Sequence, residues 1–203
     1  MKHIIKAVLS GIFVAITLLG CSEKPKEYTQ LLIYPNKKPL EQFELVQQDT
    51  QKFNVESFSG KWNLIFMGYT NCPDVCPLTL SDISRIYQKI SPQLQKNLRI
   101  IFLSVDPVRD TPDHLAKYID HFHSDFVGIT GEKTQIDKLV YSLGGIYTIN
   151  DEDEKFYSVD HSARIFIVNP KGQRFGIISS EAMHGKDKSV LVKELSWLAE
   201  SEI

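Results

Sequence analysis

Along this chain, apolar runs of strand length alternate with segments whose apolar residues recur at helical spacing. "NLIFMGY" (63–69) and "LRIIFLSVD" (98–106) are continuous apolar runs, the pattern of strands buried on both faces. "FVGIT" predicts a third, shorter strand. After Pro77 the pattern changes: Leu78, Ile83, Ile86, Tyr87 and Ile90 stand near helical spacing, with the proline suited to a first helical turn. "TPDHLAKYIDHF" predicts a helix with Thr111 as N-cap and Pro112 at its first position, and "EKTQIDKLVYSLGG" one stopped by glycines. "ARIFIVN" and "RFGIISS" flank a "PKGQ" turn as an antiparallel hairpin, and "DKSVLVKELSWLAE" predicts an amphipathic closing helix. Ahead of all these, "FELVQQDTQKFNVESFSGKW" reads as two extended pieces around a polar turn, an N-terminal hairpin. The order β-α-β-α-β-α-β-β-α specifies an α/β domain with a mixed central sheet and helices on both faces.

The N-terminus is a separate object. Lys2 and Lys6 precede "AVLSGIFVAITLLG", an apolar stretch that ends at Cys21 and has the form of an export signal. Its fourteen residues from Ala7 to Gly20 fall short of the roughly 20 that a spanning helix needs. The ending "LLGC" resembles a bacterial lipobox, which implies cleavage before Cys21 and acyl chains on it. Several chains on one residue bind membrane far better than one. The expected organisation is a signal peptide over 1–20, a lipid-anchored tether over 21–40 with the strand-like "LLIYP" near its end, and a globular domain over 41–203. That domain would sit on the periplasmic or extracytoplasmic side of a bacterial membrane. A plain transmembrane anchor, or an accidental cysteine beside a secretory cleavage site, is the competing reading.

Composition narrows the function classes. The 203 residues, 42% of them hydrophobic, can bury a real core. Net charge is −2, and losing residues 1–20 removes two lysines and no acid, so the remainder is mildly acidic. No basic field attracts nucleic acid.

Chemistry concentrates in "TNCPDVCP" (70–77), at the turn between the first buried strand and its helix. Strands feeding helices with a cysteine pair at that turn are the arrangement of thioredoxin-like folds. Positions four apart on a helix lie about 6 Å apart on one face, so Cys72 and Cys76 could close a disulfide or hold one soft metal ion. A helix N-terminus favours thiolate, which assists either use. A permanent staple across so short a loop would stabilise little, and the two-residue spacer of thioredoxin redox motifs is absent. A third ligand would come from the six histidines. His3 leaves with the signal peptide, His114 lies among polar residues, and His121 and His123 suit a helix C-terminus. His184 beside Met183 reads as a surface loop. His161, in "SVDHSARIFIVN", stands at the start of a hydrophobic strand, where an imidazole must have a partner: either a hydrogen bond or a metal. Asp160 could then orient it, although adjacent strand side chains point oppositely.

"GYTNCPDVCP" (68–77), "SVDPVRDTP" (104–112) and "VDHS" (159–162), in that order, resemble the Sco/SenC proteins, and the likeness spans roughly residues 40–200. The resemblance implies a thioredoxin-like, membrane-tethered protein whose Cys72, Cys76 and His161 bind copper, as Cu(I) or Cu(II), and deliver it to the copper-bearing subunit of cytochrome c oxidase during assembly. Zinc is the competing metal, since two Cys and one His leave a fourth position open. A thiol-disulfide oxidoreductase that reduces the subunit's cysteines is the alternative activity. Another copper chaperone or a thioredoxin-like reductant would be a further partner. Asp106 and Arg109 follow a sheet strand, where α/β ligand sites collect, and could contact the metal loop or simply pair with each other. Asp110, Thr111 and Pro112 read as helix-start chemistry. Where many relatives carry "GFTHCPDICP", this chain has Tyr69 and Asn71.

Overall fold

The computed structural model describes residues 27–150 and 157–201. Ten strands and six helices form the body: β1 (Leu31–Pro39), β2 (Leu45–Gln47), β3 (Lys52–Phe53), β4 (Trp62–Gly68), α1 (Val75–Tyr87), α2 (Pro92–Gln95), β5 (Leu98–Ser104), α3 (Pro112–Asp120), β6 (Val127–Thr130), α4 (Lys133–Leu143), β7 (Tyr147–Asn150), β8 (Ser158–His161), β9 (Ile165–Val168), β10 (Gln173–Ile178), α5 (Ser180–His184) and α6 (Ser189–Glu200). Eight strands make one mixed sheet in the order β1-β10-β9-β4-β5-β6-β2-β3. Only the pairs β4–β5 and β5–β6 are parallel, and the remaining pairings are antiparallel. This is the thioredoxin-like arrangement that the element order predicts, with the hairpin β2–β3 added at one edge.

The continuous apolar runs are buried for the reason their pattern suggests. Every residue of β4 is buried, because helices cover both faces. Leu64 and Ile100 pack with Ile83 of α1 and Leu195 of α6 on one face. On the other, Met67 and Phe166 close around Gly145 at the end of α4, where an added Cβ would lie 3.1 Å from each. Thr111 caps α3 by accepting from the His114 N–H at 3.3 Å, and Gly144, at φ 78°, ends α4 in the left-handed region that favours glycine.

Two features bear on function. The strand-like "LLIYP" expected near the end of the tether lies within Leu31 to Pro39, which form the edge strand β1 on β10. Glu194 of α6 fastens its start: the carboxylate, 1% exposed, accepts from the Thr29 and Leu31 N–H groups and the Thr29 hydroxyl at 2.7–2.9 Å. Secondly, His161 does not begin a central strand. It ends β8, which pairs with β7 in a separate two-stranded sheet, Tyr147 opposite His161. The central strand β9 begins only at Ile165.

Candidate metal centre

Cys72 and Cys76 stand at the C-terminal end of β4, on the chain's way into α1. Helix α1 begins at Val75, so Cys76 is in its first turn and Cys72 precedes it. The helix N-cap, Asp74, makes no side-chain cap bond. The Cys72 sulfur takes that place, accepting from the Cys76 N–H at 3.5 Å. Both cysteines are free thiols, and their environments differ sharply. Partial burial raises the Cys72 thiol, but the N–H groups of Asp74, Cys76 and Val75 outweigh it and hold the thiol below its ordinary value. Burial pushes the Cys76 thiol far up, and the nearby Cys72 and Asp110 add to the effect.

The arm β7–β8 brings His161 to the same place. Its Nε2 lies 3.5 Å from the Cys76 sulfur, and its ring meets those of Phe66 and Tyr69 edge-on at 6.0 and 6.4 Å. Burial lowers the His161 pKa below its ordinary value, so the imidazole is neutral at pH 7 with a nitrogen lone pair to offer. Its Nδ1 faces the Ser162 carbonyl at 3.3 Å. Asp160, expected to orient the ring, instead accepts from the Asn150 side chain at 2.9 Å, because successive strand side chains alternate. Cys76 thus contacts both other residues, and among the described residues no three ligating side chains are gathered into a finished cluster.

Two layers of support surround the three residues. Gly68 leaves room for Cys76: a Cβ there would lie 2.9 Å from its sulfur and 2.9 Å from the Phe102 ring. Asp110, fully buried, accepts from the Thr70 N–H at 3.0 Å, the Thr70 hydroxyl at 2.5 Å and the Ser104 hydroxyl at 2.6 Å. This corrects the reading of Asp110 as helix-start chemistry, for it ties the cysteine loop to the end of β5. Asp106 and Arg109 form an ion pair. Arg109 also stacks on the Tyr157 ring at 3.6 Å and donates to the Tyr157 carbonyl at 3.1 Å, while the Tyr157 hydroxyl donates to Asp106 at 2.5 Å. Tyr157 directly precedes β8, so this trio clips the arm that carries His161.

The sequence model of SCO1/SenC matches residues 34–199. The chain belongs to the SCO1/SenC family. It is 34% identical over 174 residues to the SCO2-like protein of Rickettsia prowazekii, covering 84% of each chain. The solution structure of apo Sco1 from Thermus thermophilus superposes with TM-score 0.75 at 30% identity, over 86% of this chain and 99% of that one. Bradyrhizobium japonicum ScoI, a structure with copper bound, superposes with TM-score 0.67 at 30% identity, over 79% of this chain and 97% of that one.

Three other histidines of this SCO1/SenC chain, His121, His123 and His184, are engaged elsewhere. His184 ends the short helix α5 and contacts Asp82 at 3.2 Å and Thr79 at 3.5 Å, with Met183 buried beside it. His121 caps α3, and His123 stacks against Phe126. Cys21 and His3 lie outside the described residues. Sequence reasoning missed Tyr157, Gly68 and the role of Asp110. The glycine at a strand end just before a cysteine was the one signal that could have been read; the other two roles follow from contacts over 40 residues or more.

Proposed function

We propose that this chain carries copper through Cys72, Cys76 and His161 and delivers it to the copper-bearing subunit of cytochrome c oxidase during assembly. The observation that carries this reading is the contact of the His161 imidazole with the Cys76 sulfur, with the Cys72 sulfur on the Cys76 N–H. The donor set fits the ion: two sulfurs suit Cu(I), and an imidazole added to them also accepts Cu(II). Family membership and the copper-bound relative support it. Cys72, held towards thiolate, is the ligand that engages first; Cys76 loses its proton to solvent as the metal binds, which makes binding release protons. Residues 1–20 act as a signal peptide, and Cys21 carries the lipid that tethers the domain to the membrane. Among the described residues no helix is long and apolar enough to cross it.

Adding Cu(II) to the reduced protein gives thiolate-to-copper charge-transfer bands that vanish in Cys72→Ala and Cys76→Ala, and His161→Ala weakens binding and alters the spectrum. Unchanged affinity and spectra in the His161 variant sink the reading.

The unequal thiols favour a second activity in the same site. Cys72 thiolate attacks a disulfide of the oxidase subunit, forming a mixed disulfide and releasing one subunit thiolate. Cys76 then closes on Cys72, the subunit leaves as a dithiol, and the pair is oxidised by two electrons. Cys76→Ser traps the mixed disulfide if this step operates, and copper binding is then dispensable for it.

A further inference from the structure

The sheet register fixes where the N-terminal segment leaves the folded body. Leu31 pairs with Ile178, Ile178 with Ile165, and Ile165 with Phe66. Leu31 therefore lies in the row of Phe66, and the chain running back through Gln30 and Thr29 heads for the end of the sheet that holds Gly68 and the cysteine loop. Glu194 holds the departure point by accepting from Thr29, Gln30 and Leu31. Three strand spacings separate β1 from β4, about 14 Å. The same end of the sheet is rimmed by exposed apolar side chains. Val75 and Leu78 lie in the first turns of α1, 43% and 58% exposed, and Val108 lies on the loop after β5, 80% exposed.

We propose that the end of the sheet carrying Cys72, Cys76 and His161 faces the bilayer that holds the chain, with this apolar rim turned to the lipid surface. The proposal rests on the reading of Cys21 as the lipid-bearing residue. Thr29 follows Cys21 by eight positions, which reach about 28 Å when fully extended. The opposite end of the sheet, marked by Lys96 ahead of β5, lies a seven-residue strand farther on, about 23 Å. Turning that end to the membrane would use almost the whole reach just to pass the body, whereas the site-bearing end reaches the surface with the tether relaxed. Copper accordingly enters and leaves in the layer next to the bilayer, and its acceptor is a protein that presents its ligands close to that surface.

The test uses the full lipidated chain in phosphatidylethanolamine/phosphatidylglycerol vesicles that contain a lipid with a nitroxide on its headgroup. A fluorophore is clicked onto an azide-bearing residue at position 108 or, separately, at position 96. The proposal expects several-fold stronger quenching at 108 than at 96, and loss of that difference when a long Gly/Ser insert is placed between Lys26 and Glu27. Equal quenching, or stronger quenching at 96, overturns the orientation while leaving the anchor intact. A difference that survives the insert overturns the tether as its cause. A chain that does not bind vesicles at all, or binds them equally as Cys21→Ala, overturns the anchor reading and the proposal with it. None of these outcomes depends on copper, so the delivery reading stands or falls separately.

Discussion

The cysteine loop and the β7–β8 arm bring the three proposed ligands to one place by opposite means. The loop leaves a strand buried along its full length and is tied down by Asp110, a buried carboxylate that takes three hydrogen bonds. The arm forms its own two-stranded sheet, and alternate residues of β7 are exposed. Its attachment to the loop after β5 is the Asp106–Arg109–Tyr157 clip. Two thiols are therefore set by the core, whereas the imidazole is set by a partly exposed clamp. A site that releases copper, as proposed for this chain, would gain from this division, because the third ligand sits on a less deeply buried element than the other two.

Removing the core support should produce the largest effect. Asp110→Ala strips the acceptor from Thr70 and Ser104 and is expected to cost about 3 kcal/mol, since buried donors are left unpaired; urea unfolding measures it. Gly68→Ala follows at about 2 kcal/mol, because the new methyl presses on the Cys76 sulfur and the Phe102 ring in a packed core. If either variant unfolds like wild type, the loop is not core-held. Loosening the arm should spare stability and act on the metal. Tyr157→Ala, which leaves the buried Asp106–Arg109 ion pair in place, is expected to shift the urea midpoint less than Gly68→Ala while weakening copper binding about tenfold and altering the charge-transfer spectrum. An unaltered spectrum beside an altered His161→Ala spectrum would show that the clip does not position the ring. The smallest effect concerns pH. The His161 pKa is lowered on folding by burial, so the unfolded arm binds the proton more readily. The stability this contributes is present above the ordinary value of 6.5 and is lost as pH falls from there through the folded pKa. In the copper-free protein, β7–β8 amides should then exchange faster relative to those of β4 and β5, after correction for intrinsic rates.

The same contrast explains what was legible in the sequence. Elements that bury a whole strand or a helix face announce themselves by period, so β4, β5, α1 and the closing helix stand where the pattern put them. The arm does not. Its strands are four residues each, half-exposed and interrupted by a polar stretch, which left His161 attached to the wrong strand. Asp110 was misread because its neighbours Thr111 and Pro112 do begin a helix, and a carboxylate beside an N-cap gives no local sign that it reaches back to Thr70. The tether reading stopped at residue 40 because "LLIYP" is too short and mixed for its period to distinguish a docking segment from an edge strand.

The sequence by itself determined the order of the elements, the placing of the cysteine pair at a strand-to-helix turn and, through three ordered motifs, the family. Hydrophobic period and turn chemistry are local, and they act within a few residues. Only the tertiary structure decided that Cys72 lies before the helix and caps it, that His161 arrives on a separate arm clipped by Arg109 and Tyr157, and that β1 begins at the same end of the sheet as the site. The first is a local contact that spacing alone leaves open; the other two depend on pairing between residues far apart in the chain, where register and burial choose the partner and composition does not.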